Sequence, residues 1–566
     1  MQKLHRYDIC EFLGGATAFA RFGSSIRGWT GTPARNGLTP RRLRSNRSTL
    51  SEDIRMAPEI EKTDVTIGSE GTRLAGDLLR SSAAAARSAS RPPLAGGRTK
   101  LFYALGAIAF GVKDNGFGVF LLLYYNQVLG LSAGLAGTAL LVALFVDAFI
   151  DPLVGHMSDN LHSRWGRRHP FMYAAAVPVA IAYALLWNPP ALGQAGLFAY
   201  LLFGTIVVRS LITCYEIPSA ALAAELTDDY DQRTSYVSLR WFCGATGGLF
   251  TGLFTLTFLM HPSAHQPVAT LNADGYRTYG FVAGAIMLTA ILVSSIGTHH
   301  AIPHLRSPPP KQRRSIVDNL RMVLQTISNR SALVLVGCGF IWAIAGGILG
   351  SLGFYLQTYF WELSAKQISV MGGGTFAAYL LALFGSSWLA KRWGKKATAI
   401  IGGVGWIILG PAPIWLRLAG LFPENGSPWL LPTLMAFSIA HSAVGVVSAM
   451  VIGSMMADVA EDVELRTGRR SEGLLFSANA FIAKATSGVG MFASGAVLAF
   501  VNFPAHAQPH HVAQAVLNRL AMTYSVSLLA LYSIALLLLA GYSITRASHT
   551  AALQELSRRR AAMDGT

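Results

Sequence analysis

Apolar runs of bilayer-spanning length recur from Leu101 to Thr545, and no other feature of the chain restricts its fold so severely. A run of about 20 apolar residues crosses the hydrocarbon core as a helix, because intrahelical hydrogen bonds satisfy its backbone where no water can. The pattern predicts about twelve such helices, over 101–129, 132–157, 170–188, 195–224, 235–260, 277–298, 332–361, 366–392, 396–419, 429–457, 473–502 and 520–545. The fold class expected is therefore an all-α membrane protein. Composition agrees: 52% of the 566 residues are hydrophobic, 13% are charged, and the mean hydropathy is +0.41.

Connections as short as Gly130–Ser132 force neighbouring helices into antiparallel hairpins. Lys and Arg gather in every second connection, in SRWGRRH, DDYDQRT, PHLRSPPPKQRRS, KRWGKK and RTGRR. The connections between them, such as GLS, NPPALGQ and FPENGSP, are nearly free of them. By the positive-inside rule both termini are cytoplasmic, and the chain is expected in the cell (inner) membrane. The formal net charge of +17 then sets topology and meets anionic lipid, and no soluble domain is left to grip a nucleic acid. Four scattered cysteines, Cys10, Cys214, Cys243 and Cys338, offer neither a disulfide framework nor a CxxC metal pattern.

Residues 1–98 differ in kind, being rich in Arg, Ser, Pro and Gly without periodicity, which reads as a disordered basic tail. A basic transit-type leader is an alternative, Met56 is a second candidate start, and no cleavable signal peptide is found. The remaining divisions expected are a six-helix half over 99–300, a cytoplasmic loop over 301–330, a second half over 331–546 and a tail over 547–566. The two halves are inferred from a repeat: SRWGRR at 163–168 follows the second span and KRWGKK at 391–396 follows the eighth. That duplication resembles the major facilitator architecture, in which two helical halves rock about a central cavity.

Within this apolar framework Asp147 and Asp151 stand out in VDAFIDPLVGHMSDN. They lie one helical turn apart on one face. Each costs about 2.5–3.5 kcal/mol at a helix centre, and two ionised carboxylates repel. Packing alone offsets none of this, so a bound cation or a shared proton is expected there. The alternative pairs Asp147 with a membrane Lys or Arg and has Asp151 cap the turn before Pro152. Lys113, Asp114, Arg209, Glu216, Arg240 and Lys484 also lie inside apolar spans and need partners. Thr213 shares a helix face with Glu216, and the set supplies the oxygen ligands that suit Na⁺ or protons rather than zinc.

DAFIDPLVGHMSDNLHSRWGRRHPF, CYEIPSAALAAELTDDYDQRTSYVSLRWF, MMADVAEDVELRTGRRSEGLLFSANAFIAK and the Lys113–Asp114 pair together resemble the glycoside–pentoside–hexuronide:cation symporters of the major facilitator superfamily. The likeness runs from about Leu101 to Arg546. It implies that Asp147 and Asp151 bind the coupling ion, with Thr213 and Glu216 completing the site, Glu216 standing between ion and sugar. It implies further that Lys113, Asp114, Glu216, Arg240 and Lys484 meet the substrate. Three positions depart from the family pattern: Glu216 stands for Asp, Ile150 for a polar amide of sodium-using members, and Ala220 for a Trp that stacks on sugar in melibiose-type members.

The function expected is H⁺- or Na⁺-coupled symport of a sugar or glycoside by a monomer, with no enzymatic activity and no cofactor beyond the coupling ion. A lysolipid or other amphiphile is the second substrate class, and a transport-inactive sensor with the same fold is the third reading. His506, His510 and His511 read as a solvated loop rather than a metal site, and the glycines of GGGT at 372–375 as helix packing, since no GK[ST] follows.

Overall fold

The computed structural model describes residues 96–227, 230–264, 266–305, 330–467 and 488–544, with scattered positions between 552 and 558. The expected N-terminal tail and central loop lie almost wholly outside the described residues, as does Lys484. All described elements belong to one compact unit, Arg87–Thr566.

Helices form where the apolar runs are. The first span is α1 (Gly97–Leu105) and α2 (Ala107–Asn115), continued by π-helical turns at Gly116–Leu121 and Tyr124–Val128. α3 (Ala133–Asn160), α4 (His169–Leu186), α5 (Gln194–Leu226), α6 (Tyr230–Phe254) and α7 (Ala273–His299) complete the first half. The second half holds α8 (Arg330–Tyr355), α9 (Ala365–Trp393), α10 (Lys395–Leu409), α11 (Ala412–Leu418), α12 (Leu430–Thr467), α13 (Gly488–Phe500) and α14 (Gln514–Ala540). Ten helical spans among the described residues are long and apolar enough to cross a membrane. α9 and α13 occupy the places of the eighth and eleventh expected spans. The ninth span is interrupted between α10 and α11, where Pro411 cannot donate a backbone N–H.

The sequence repeat has a packing counterpart. α5 packs against α3 and α4, just as α12 packs against α9 and α10. Gly166 and Gly394 hold equivalent places in the two basic turns with φ of +72° and +82°, backbone that a side chain would strain. Each turn also grips an acid on the fourth helix of its half. Arg167 donates to Glu225 Oε1 at 2.8 Å, and Lys395 donates to Asp458 at 2.6 and 2.8 Å. Arg168 adds a second bond to Glu225 and pairs with Asp159.

The halves meet at the end of the bundle that carries the Lys- and Arg-poor connections. Tyr359 Oη donates to the backbone of Ala507 and bonds Gln127 Oε1, both at 3.1 Å, and Tyr355 Oη donates to Asn126 Oδ1 at 2.8 Å. Gln127 also bonds Pro504 O and the Ala507 N–H. Thr257 and Ser369 hydroxyls bond each other at 2.7 Å at the same end. Gly137 lies against the Phe492–Gly495 turn of α13, so closely that an added Cβ would stand 3.2 Å from the Phe492 carbonyl oxygen.

Candidate functional site

α3 and α5 run side by side, and each presents a pair of polar residues four apart: Asp147 and Asp151 on one, Arg209 and Thr213 on the other. The four meet. Arg209 Nε donates to Asp147 Oδ2 at 3.0 Å, and Nη2 reaches the same oxygen at 2.9 Å. Thr213 Oγ1 lies 2.9 Å from Asp151 Oδ1 and 3.3 Å from Asp147 Oδ1, so its hydroxyl bridges the two carboxylates. Asp147 and Arg209 are almost wholly buried, with side-chain exposures of 2% and 6%, whereas Asp151 is half-buried.

This geometry corrects part of the sequence reading. The charge of Asp147 is met by the guanidinium of Arg209, the membrane arginine partner of the alternative, so two uncompensated carboxylates do not face each other. The other half of that alternative fails, because α3 continues through Pro152 and Asp151 caps nothing. Asp151 accepts from Thr213 and is less buried than its neighbour. Arg209 was visible in the sequence as a charge within the fourth span. Its partner was not, because four-residue spacing relates residues of one helix and says nothing of which helix lies opposite.

The expected substrate residues form a second group. Lys113 is buried, with 3% side-chain exposure, and its Nζ holds the exposed carboxylate of Asp114 at 2.6 Å, just before α2 opens into π-helical turns. π-helical turns recur at functional sites because they shift side-chain register without ending a helix. Arg240 on α6 reaches across to α5, donating to Ser219 Oγ at 3.0 Å and to the Glu216 carbonyl at 3.2 Å. Its guanidinium also sits over the rings of Phe110 and Tyr103, 5.0 and 5.8 Å from their centroids. The first, fourth and fifth spans are thus tied together through Arg240, with Glu216 contributing its backbone to that junction. Lys484 lies outside the described residues. Ala220 is exposed, leaving open surface where an aromatic side chain was absent from the motif.

The histidine-rich connection gathers no metal site: among the described residues no group of three or more metal-ligating side chains occurs. His510 instead bonds Glu362 at 2.9 Å.

Comparison with known proteins places these features in context. The family profile described as "MFS/sugar transport protein" matches residues 102–546. The chain is 27% identical to an isoprimeverose transporter from Lactiplantibacillus pentosus over 75% of its length and 83% of that protein. It is 25% identical to a putative glycoside/cation symporter of Escherichia coli, covering 82% of this chain and 96% of that one. It is also 26% identical to a sodium-dependent lysophosphatidylcholine symporter of Gallus gallus, over 72% and 79% of the two chains. In fold it is similar to the inward-open xylose transporter of E. coli, with a TM-score of 0.52, 15% identity and coverage of 81% of this chain and 98% of that one.

Proposed function

The chain belongs to the MFS/sugar transport protein family, of the glycoside–pentoside–hexuronide:cation symporter type, and from that premise we propose that it couples the entry of a sugar or glycoside to one H⁺ or Na⁺ per cycle. The observation that carries this reading is the Asp147–Thr213–Asp151 bridge beside the buried Arg209. With Arg209 balancing Asp147, an ionised Asp151 leaves these four side chains with a net charge of about −1, which a single monovalent cation neutralises. Neutralisation lowers the desolvation cost of closing the cavity around them. Thr213 shares its hydroxyl between the carboxylates, so a change at Asp151 is felt at Asp147 and, through it, along α5.

Substrate would then engage Asp114 and Arg240, whose contacts join the first, fourth and fifth spans, and Lys484 from the second half. Opening of the Gln127–Tyr359 lock and rocking of the halves would expose the site on the other side. The direct test is gradient-driven uptake of neutral glycosides into proteoliposomes. Asp151→Asn is expected to abolish uphill accumulation while counterflow exchange persists, and wild-type accumulation by this variant would overturn the assignment. We infer cytoplasmic termini in the cell membrane, with the basic turns facing the cytoplasm. Cysteines introduced at Arg164, exposed in the first basic turn, and at Asn425 should then label with an impermeant maleimide from opposite sides.

A second reading, a lysolipid as cargo, is favoured by the relatedness to lysophosphatidylcholine symporters and by the exposed Ala220. Lysophosphatidylcholine uptake without uptake of any glycoside would select it. Uptake of neither would select the sensor reading.

A further inference from the structure

The connection from α13 to α14 contains NFPAHAQPHH, residues 502–511, and takes no part in the Asp147–Arg209 site. Among the described residues, the positions other than glycine with positive φ are Asn502 (+55°), His506 (+52°), His510 (+69°) and Glu362 (+51°). Three of them belong to this connection. The fourth touches it, since His510 Nδ1 lies 2.9 Å from Glu362 Oε1. Left-handed backbone is unfavourable for a residue with a Cβ and persists where surrounding contacts impose it.

Those contacts come from both halves. The first span and α8 end alike, each passing through a π-helical turn, Tyr124–Val128 or Leu356–Phe360, to a positive-φ residue followed by Leu and Ser. The positive-φ residues are Gly130 and Glu362, and Gln127 and Tyr359 stand three residues before them. The two side chains that lock this end are therefore equivalents, and the connection lies across both. Ala507 donates its N–H to Gln127 Oε1 at 3.0 Å and accepts from Tyr359 Oη at 3.1 Å. On the first half, the Pro504 carbonyl accepts from Gln127 at 3.1 Å, and the His506 imidazole occupies the space that a side chain on residue 130 would need. On the second half, the Phe503 ring packs on Tyr355 and Tyr359, with centroids 5.7 and 5.0 Å away, and His510 meets Glu362. His506 and His510, four residues apart, thus cover the two equivalent helix ends.

We propose that residues 502–511 form a strap that keeps this end of the bundle closed, and that protonation of His510 tightens it. A neutral imidazole gives Glu362 a hydrogen bond at most, whereas an imidazolium makes an ion pair of the same contact. Histidine side chains gain that charge between about pH 5 and 8. The charged pair fixes the left-handed turn at His510 and, with it, the place of Ala507 between Gln127 and Tyr359. Loss of the proton frees the strap, and the halves part more readily. The other charged or titratable groups at this end of the second half are His506 and His511 in the strap, Lys366 in the first turn of α9, Arg519 in the second turn of α14, and Glu424. Glu424 adjoins Asn425, which donates to the Phe360 carbonyl at 3.1 Å. Asp274 and Arg277 on the first half pair with each other. His510 is 72% exposed, so its pair with Glu362 is a weak one and shifts the closed population only a few-fold.

The test is a distance measurement between spin labels at Ser132 and Ser364, exposed residues just before α3 and α9, on the full chain in nanodiscs. In the wild type the longer, open component is expected to grow about threefold from about pH 5.5 to about pH 7.5. His510→Gln and Glu362→Gln are each expected to abolish that response with the protein still monodisperse, whereas His511→Gln and Asp151→Asn keep it. Phe503→Ala, which takes the ring away from Tyr355 and Tyr359, is expected to raise the open component severalfold at both pH values. An unchanged distribution in Phe503→Ala would overturn the strap. Its control by His510 is overturned if the wild type is the same at both pH values, or if the response survives in His510→Gln and Glu362→Gln. Loss of the response in Asp151→Asn alone would assign it to the carboxylate bridge and overturn the proposal equally. None of these outcomes depends on which ion or cargo is carried, so a failure of the symport reading is distinguishable from a failure of the strap.

Discussion

Asp147 and Asp151 are the same residue one turn apart, yet their surroundings assign them different work. Asp147 is buried against a guanidinium that stays charged at any physiological pH, and Asp151 is half-buried and accepts from the Thr213 hydroxyl. Removing one member of a buried ion pair leaves the other charge uncompensated, at a cost of about 3–5 kcal/mol. Arg209→Gln and Asp147→Asn are therefore each expected to lower the thermal midpoint and the yield of folded protein. The double variant should recover most of that loss, since neither charge remains, and Asp151→Asn should leave the midpoint near wild type. A thermal-shift series on the four variants checks this. Additive losses in the double variant would show that the two side chains do not act as a pair. The sequence made the two acids stand out through the cost of charge in hydrocarbon, and it treated them alike. What separates them is a neighbour on another helix, information that a helical period does not contain.

At the scale of elements, the basic turns and the end lock show the same limit from two sides. SRWGRR and KRWGKK were legible as a repeat because a glycine with positive φ and a cluster of Lys and Arg leave a local signature. Their acid partners, Glu225 and Asp458, sit about 60 residues downstream and become evident only when α5 and α12 are in place. The lock of Asn126, Gln127, Tyr355 and Tyr359 left no signal, because tyrosine and amide residues near a span end read equally well as interfacial anchors. Its mechanical role is testable. Tyr359→Phe deletes bonds to Gln127 and Ala507, each worth about 0.5–1.5 kcal/mol. The population open at this end should rise roughly tenfold, from a combined loss of about 1.4 kcal/mol. Spin labels at Ser132 and Ser364, exposed residues on either side of the lock, would report it as a new, longer component in the distance distribution. An unchanged distribution would mean that packing of α3 on α13 and α6 on α9 holds the halves together without these bonds.

For the whole molecule, the helical spans, ten of them among the described residues, were readable because every apolar run must become a helix in lipid, whereas which side chains meet across helices depends on how the bundle packs. The choice of ion is likewise a property of the whole cycle, since the loaded carrier must pass through a closed state with its charges balanced. Arg209 occupies one side of the carboxylate bridge, so a sodium ion at Asp151 would sit close to a fixed positive charge. Two unit charges at roughly 6 Å and an effective dielectric of about 20 repel by about 3 kcal/mol, which the Asp147 carboxylate bonded to Arg209 offsets. A proton bound covalently on Asp151 adds no bare cation beside Arg209, and it turns the carboxylate into a hydroxyl donor that Thr213 can accept. Ile150 offers no side-chain oxygen to coordinate sodium. Substrate added to energy-depleted cells in a lightly buffered, sodium-free suspension is thus expected to alkalinise the medium, and Asp151→Asn to abolish the signal. Thr213→Ala, which removes an oxygen that sodium would need, should weaken proton-coupled uptake only a few-fold. Transport that is strictly sodium-dependent, with no proton uptake between about pH 5 and 8 and complete loss in Thr213→Ala, would reverse the assignment and require Arg209 to leave Asp147 when the ion arrives.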